Sequence, residues 1–228
     1  DIICYMNGYN DPRRPVYFIP SEFEGEEYVG IRIRIEKPAL NTVGRKYSGV
    51  NIAPSDPIVW LNAAEVAFLK AEAALFDFNV GGQAGDFYNE GVRLSFEEHN
   101  VSGYEAYIMD EVSKPTAYAD PAGLNSYPSL LSEITIKWDD AATPEQKQER
   151  IITQKWIAIF NNGNEAWADY RRTNYPRLMP ATDAGNKSDG LVSSEFGARR
   201  MKYPLAEYTN NGENVNAAVS QYLGGPDR

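Results

Sequence analysis

One stretch beginning at Thr143 constrains the fold most, because it carries start and stop signals for two consecutive helices. Thr143 can cap a helix, Pro144 suits its first turn, and Gln146 stands where a capping-box partner is needed. Gly163 is placed to take the left-handed conformation that ends this helix, and Asn164 to cap the next. The apolar residues of the first helix recur with helical spacing, at Ile151, Ile152, Trp156, Ile159 and Phe160. We expect two helices joined so closely to pack against each other.

Helical patterns recur elsewhere, over residues 57–76, 84–98, 104–113 and 214–222. Asp56 and Pro57 supply a cap and a first turn for the first of these, and Gly81 and Gly82 separate it from the second. The pair predicts a helical hairpin similar to a tetratricopeptide unit. No second copy follows at the spacing of about 34 residues that a repeat array requires.

Residues 1–56 contain many turn formers and few periodic stretches, so we predict a loop-rich segment. Residues 28–35 alternate between apolar and charged positions, which favours a short strand or hairpin. Residues 17–20 are typical of an edge strand or of an apolar strap over a core. Residues 132–138 fit either a short strand or the end of a helix, and periodicity leaves both open. The whole pattern predicts a mainly α fold with few short strands.

The charge of the chain excludes a polyanionic partner. Its formal net charge is -10 and its pI is about 4.7, whereas nucleic-acid binding needs a basic surface. The 43% hydrophobic content is sufficient for a full core in 228 residues. No run of about 18 apolar residues could span a bilayer, so we expect a soluble polypeptide whose membrane anchor would lie upstream of Asp1.

The sequence contains few residues that could support catalysis or bind a metal ion. His99 and Cys4 are the single histidine and cysteine, too few for a zinc site of three or four soft ligands or for a catalytic triad with a cysteine nucleophile and its orienter. Glu65 and Glu72 would lie about 10.5 Å apart along a helix, which exceeds the carboxylate separation of glycosidases. We expect these acids to pair with arginines from the sets Arg171 and Arg172 or Arg199 and Arg200. The sequence thus predicts no catalytic residue, no metal and no cofactor.

Sugar binding, by contrast, would find suitable side chains. Aromatic faces stack on the apolar faces of pyranose rings, while neighbouring amides and carboxylates bind hydroxyl groups. The candidate ligand-binding residues are Tyr5, Tyr9, Asn10, Asp11, Tyr17, Tyr28 and Trp138. Three other tryptophans lie within helical stripes and are expected in the core: Trp60, Trp156 and Trp167.

Four blocks in the chain resemble a known family. They are, in order, NGYNDPRRPVYF, then PIVWLNAAEVAFLKAEAAL followed by DFYNEGVRLSFEEH, then QKWIAIFNNGNEAWADYRRTNYPRL, and finally RRMKYPLAEYTNNGENVNAAV. Together they resemble the C-terminal portion of SusD/RagB-like proteins, the surface glycan-binding lipoproteins of Bacteroidetes. The resemblance implies that residues 1–228 form the C-terminal portion of such a protein. Its predicted parts are a loop-rich segment (1–56), a helical hairpin region (57–113), and C-terminal helices and loops (114–228).

The resemblance also implies a function. A member of this family would be a non-catalytic protein, lipid-anchored at the outer-membrane surface through an upstream segment. It would bind a glycan or another nutrient and deliver it to a TonB-dependent, SusC-like transporter. Two alternatives remain open at this point: a helical protein-interaction module without a ligand of its own, and a glycoside hydrolase.

Overall fold

Helices form most of the regular structure in the computed structural model, which describes residues 1–36 and 43–223. In chain order they are α1 (Ile2–Gly8), α2 (Arg14–Tyr17), α3 (Ala63–Leu75), α4 (Ala84–Glu98), α5 (Tyr104–Ile108), α6 (Pro144–Ala158), α7 (Gly163–Thr173), α8 (Leu205–Asn210) and α9 (Gly212–Tyr222). Within the described ranges, β-pairing is limited to single bridges that join Phe18 to Val50, Tyr118 to Tyr127 and Ser193 to Gly197. The mainly α prediction is confirmed.

The α6–α7 stretch begins as predicted and ends differently. The Thr143 side chain accepts a hydrogen bond from the Gln146 backbone, and the Gln146 side chain accepts one from the Thr143 backbone. At the far end it is Asn161, not Gly163, that takes the left-handed conformation, with φ of 74°. Asn162 then caps α7 by accepting from the backbone of Glu165. Asparagine tolerates this backbone region, so the left-handed residue after α6 lies two positions before the glycine, and the helix itself ends at Ala158.

Helices α3 and α4 form the predicted hairpin, and α6 packs against both. Phe68 of α3 is fully buried and lies against Gly91 of α4. A Cβ atom at Gly91 would lie 2.8 Å from the Phe68 ring, so the glycine permits this close approach. Trp156 of α6 is half-buried and packs edge-to-face on Tyr5, with ring centroids 5.5 Å apart.

Two predicted helix boundaries need correction. Helix α3 begins at Ala63 rather than near Pro57, because the Asn62 side chain caps it by accepting from Glu65. Residues 57–61 therefore precede the helix, and Trp60 is 91% exposed instead of lying in the core. Helix α5 ends at Ile108 rather than at residue 113, since the Asp110 carboxylate accepts from the backbone of Val112 and of Ser113 in a turn.

The N-terminal segment is less extended than predicted. Residues 14–17 form α2, and the next residue, Phe18, forms a single antiparallel β-bridge with Val50. Residues 28–35 form no strand ladder within the described ranges, and residues 132–138 form neither a strand nor a helix end. Much of this segment is buried instead, because α1 and the residues after it supply many core side chains.

The chain forms two compact units. The first contains residues 1–33 and 43–179, and the second contains residues 34–36 and 180–223, as far as the structure describes them. The first unit includes parts of all three predicted stretches, so the division at 56/57 and 113/114 stays a prediction. Residues 37–42 and 224–228, which belong to the predicted loop-rich and C-terminal stretches, lie outside the described part. None of the described helices combines the length and apolar character required to cross a membrane.

Candidate functional site

The structure places three of the predicted tyrosines in the core. Tyr5, Tyr9 and Tyr17 are each at most 3% exposed. The Tyr5 hydroxyl donates to the carbonyl of Arg177 at 2.8 Å, and the Tyr9 hydroxyl donates to that of Ile134 at 2.8 Å. Burial raises the pKa of Tyr17 to about 12. These rings have no exposed face for a sugar, so we remove them from the candidate surface.

Asp11 is also part of the core. Its carboxylate binds the guanidinium of Arg13 through two hydrogen bonds of 2.9 and 2.6 Å, and both side chains are fully buried. Ser95, Tyr107 and Gln154 accept further hydrogen bonds from the same guanidinium. This network ties the N-terminal segment to α4, α5 and α6 and leaves Asp11 no role at a surface.

Asn10 and Tyr28 have different surroundings. Asn10 is exposed in a turn with φ of 49°. Tyr28 is largely buried and lines an apolar cavity of about 470 Å³, together with α1 and residues 116–119. The Tyr28 carbonyl accepts from the Asn7 side chain at 2.8 Å, and Arg14 lies over the Tyr28 ring at 5.5 Å. Their ligand-binding role stays a prediction.

Trp138 is half-buried beside α4. Its ring packs against Tyr88 at 5.3 Å, and its indole N–H donates to Asp140 at 2.9 Å. Gly85 lies so close that a Cβ atom there would approach the indole nitrogen to 2.6 Å. None of these three neighbours belongs to the predicted ligand-binding residues. Trp138 is therefore a candidate position separate from the others.

A cleft of about 290 Å³ with a mixed polar and apolar lining was not predicted from the sequence. We call it the Glu149 cleft, and its lining residues are Leu130, Leu131, Ser132, Glu133, Ile134, Gln146, Glu149 and Arg177. One oxygen of the Glu149 carboxylate accepts from the Ser132 hydroxyl at 2.6 Å and lies 3.4 Å from Nε of Arg177. Burial raises the pKa of Glu149 above its ordinary value, although Ser132 and Arg177 oppose the shift.

Arg177 is held at its backbone and at its guanidinium, while the guanidinium remains accessible. The buried Tyr5 hydroxyl donates to the Arg177 backbone carbonyl, and the Arg177 guanidinium donates to the Tyr175 hydroxyl at 3.3 Å. Tyr175 in turn donates to Glu145. With 54% of its side chain exposed, Arg177 offers donors at the cleft, beside the acceptor oxygens of Glu149. The segment NYPRL in the third family-like block was the available sequence signal for this position.

The acids of α3 belong to a structural ion network. Arg172 binds Glu72 through two hydrogen bonds of 2.5 and 2.6 Å. The predicted pairing of an arginine with Glu72 is therefore confirmed. Burial alone would raise the pKa of Glu72, but hydrogen bonds from Arg172 and Gln148 hold it below its ordinary value.

The same network includes a buried lysine. Lys155 lies 3.3 Å from Glu65 and 2.9 Å from Asp169, so it joins α3 to α7 across α6. Arg171 takes no part in these ion pairs and lies over the Trp167 ring at 4.9 Å. Trp167 is 37% exposed, so the prediction that it lies in the core is wrong. The acids weighed as a glycosidase pair therefore serve as helix-to-helix links.

Solved structures with this architecture are numerous. A SusD homolog from Bacteroides uniformis is 60% identical and superposes with a TM-score of 0.94 over 100% of this chain and 47% of its own length. A SusD-like protein from Bacteroides thetaiotaomicron is 44% identical, with a TM-score of 0.88 over 99% of this chain and 47% of its own. A chitin-binding SusD homolog from Flavobacterium johnsoniae is 42% identical, with a TM-score of 0.85 over 100% and 46%.

The chain thus spans about half the length of these relatives. Comparison with curated proteins gives no match. The family model for SusD-like proteins, described as "Susd and RagB outer membrane lipoprotein", matches residues 1–228. Because this match covers the whole chain and the structures agree along it, the chain belongs to the SusD-like family.

Proposed function

We propose that this chain is part of a non-catalytic protein that binds glycans at the outer-membrane surface and delivers them to a TonB-dependent, SusC-like transporter. The observation that carries the proposal is the family match over residues 1–228. A relative that is 42% identical over the whole chain is a chitin-binding protein, which makes oligosaccharides of N-acetylglucosamine the first ligands to test.

The Glu149 cleft supports recognition of a sugar by this part of the protein. Arg177 supplies hydrogen-bond donors and Glu149 supplies an acceptor, while Leu131 and Ile134 form apolar wall beside them. A sugar unit presents hydroxyl or acetamido groups next to apolar C–H faces, which such a mixture of groups matches. Asn10, Tyr28 and Trp138 remain further candidate contacts at separate positions.

Binding without turnover is the result that tests this proposal. We would titrate the complete protein with N-acetylglucosamine oligomers and with cello-oligosaccharides in a calorimeter, and analyse the recovered sugars by mass spectrometry. We expect saturable binding to at least one series, and recovered oligomers of unchanged length. Shortened products would favour the glycoside hydrolase. The absence of binding across a broad glycan array would favour the interaction module without a ligand.

The contribution of the cleft can be measured with two changes that each remove one charge and keep a polar side chain. Arg177→Gln and Glu149→Gln each alter one side of the donor–acceptor pair, and we expect each to weaken glycan binding about ten-fold in calorimetry. The matched controls are Arg93→Gln and Glu97→Gln, which alter an exposed ion pair within α4. If the cleft variants bind as tightly as the controls, the sugar is bound elsewhere and only the assignment of the cleft fails.

The transporter is tested separately from the ligand. We expect the tagged complete protein, purified from outer membranes in mild detergent, to retain a TonB-dependent transporter identifiable by mass spectrometry. A tagged outer-membrane lipoprotein of another family serves as the control for non-specific capture. Equal recovery of the transporter with both baits would contradict the proposed delivery step without affecting glycan binding.

A further inference from the structure

The Glu149 carboxylate has one oxygen bound within the chain and one oxygen left for a ligand. Oε1 accepts from the Ser132 hydroxyl, which is itself oriented because it accepts from the backbone N–H of Ile134 at 3.0 Å. Oε2 has no hydrogen-bond partner among the residues that the structure describes. Only 8% of the Glu149 side chain is exposed, but Oε2 is not among the fully enclosed atoms. A ligand in the Glu149 cleft can therefore reach an acceptor that lacks a donor.

The one cation of the cleft, Arg177, is shared between two acids. Its Nε lies 3.4 Å from Glu149, and its guanidinium also donates to the hydroxyl of Tyr175, which donates to Glu145. Burial, and to a smaller extent the negative charge of Glu145, raises the pKa of Glu149 against the opposing effects of Ser132 and Arg177. The Glu149 carboxylate therefore has fewer positive and donor groups around it than its charge requires.

A ligand group that combines a positive charge with hydrogen-bond donors suits this carboxylate best. The ammonium group of an amino sugar has both, and a charge-assisted hydrogen bond is about twice as strong as a neutral one. A hydroxyl or acetamido group offers a neutral donor only. A carboxylated sugar brings a like charge, which Glu149 repels. A metal ion is a poorer occupant, because no group of three or more His, Cys, Asp or Glu side chains in the described part of the chain is placed to hold one.

We infer that the Glu149 cleft is selective for amino sugars, whose ammonium group donates to Oε2 of Glu149, with Leu131 and Ile134 as the apolar wall beside it. The inference rests on the proposed function, since it concerns a sugar bound in the same cleft, and it adds the chemical class of the preferred sugar unit. Its consequence is that deacetylated oligomers of N-acetylglucosamine bind more tightly than the acetylated ones.

A series of β-linked oligomers that differ only at the second carbon of each sugar tests the inference. Cello-oligosaccharides carry a hydroxyl there, N-acetylglucosamine oligomers an acetamido group, and glucosamine oligomers an amine. In calorimetry of the complete protein at neutral pH and low salt, we expect the glucosamine oligomer to bind about ten-fold more tightly than the other two. Equal affinities for the three oligomers would overturn the inference and leave the proposed function standing. Absence of binding by all three would also overturn it, and the glycan array would then decide the proposed function.

A matched pair of variants locates the preference at the cleft. Glu149→Gln removes the carboxylate, so the ratio of the affinities for the glucosamine oligomer and the cello-oligosaccharide should fall to about one. Glu97→Gln changes the net charge equally at an exposed ion pair within α4 and should keep the ten-fold ratio. This control accounts for the general attraction of a cationic oligomer to a chain with a formal charge of -10. An unchanged ratio in Glu149→Gln would overturn the inference.

A third variant keeps the inference testable if Glu149→Gln does not fold. Arg177→Gln removes the cation that competes with the ammonium group for Glu149, and the Arg177 side chain is 54% exposed, so the fold should tolerate the change. We expect the ratio of affinities to rise several-fold above the wild-type value, although neutral oligomers bind more weakly. A ratio that stays the same or falls would overturn the inference, because the ammonium group would then lie away from Glu149.

Discussion

The two faces of α3 differ in what holds them. The inner face is complete within this chain: Phe68 packs on Gly91, and Glu65 and Glu72 end in ion pairs with Lys155 and Arg172. The outer face carries the apolar side chains of Val66 and Leu69, which are 53% and 45% exposed. The difference shows that the interactions on the inner face are the ones that hold this helix in the fold. On this helix, charged side chains therefore connect α3 to neighbouring helices, while some apolar side chains lie at the surface.

The inner face is where we expect the largest effect on stability. Phe68→Ala removes a fully buried ring and leaves a cavity above Gly91, so the free energy of unfolding should fall by about 3–5 kcal/mol. Chemical denaturation of the 228-residue chain measures the change. The neighbouring Val66→Ala on the outer face is the control and should change the unfolding free energy by less than about 1 kcal/mol. Similar losses for both variants would contradict the contrast between the faces.

The ion network gives a smaller effect that depends on pH. Arg172→Met leaves the Glu72 carboxylate buried without its guanidinium partner, and because Arg172 is itself 42% exposed we expect a loss of about 1–2 kcal/mol at neutral pH. The pKa of Glu72 lies below its ordinary value of 4.5 in the folded chain. The pair therefore stabilises the fold above that pH, and its contribution disappears as the pH falls through the lowered pKa.

The difference between the wild type and Arg172→Met should accordingly shrink below about pH 4, which denaturation at several pH values would detect. Arg171→Met is the matched control, since Arg171 lies over Trp167 and takes no part in the ion network. A pH-independent loss in Arg172→Met would mean that Glu72 does not need its charge partner. A strong loss in Arg171→Met would mean that the wrong arginine has been assigned.

The outer face should give the smallest effect in this chain. Leu69→Gln replaces a side chain that is 45% exposed, so we expect the unfolding free energy of the 228-residue chain to change by about 0.5 kcal/mol or less. The same denaturation experiment measures it. A loss above about 2 kcal/mol would show that Leu69 is covered within the chain and would contradict the contrast between the two faces.

The helices were predictable where local chemistry decides them. The capping box of Thr143 and Gln146 fixed the start of α6, and the glycines at 81 and 82 separated α3 from α4. The start of α3 was predicted too early because Pro57 suits the first turn of a helix. In the structure Asn62 makes the capping hydrogen bond, so the helix begins at Ala63. Several residues next to a helix satisfy the same local rule, and long-range packing selects among them.

The candidate site was harder to predict, because residue type does not reveal burial. Tyr5 and Tyr9 have the chemistry of a sugar platform, but each hydroxyl meets a carbonyl more than 100 residues away in the chain. The Glu149 cleft joins α6 to two loops, through Ser132 and Arg177. No spacing rule brings such positions together, so only the folded chain reveals the cleft.

The most direct test of this account is hydrogen–deuterium exchange of the complete protein with and without the N-acetylglucosamine or cello-oligosaccharide that binds most tightly. We expect slower exchange at residues 130–134 and at Arg177, which line the Glu149 cleft, and unchanged exchange across α3. Slower exchange centred on α3 and α7, with none at the cleft, would contradict the claim that the ion network is structural and that the cleft binds sugar.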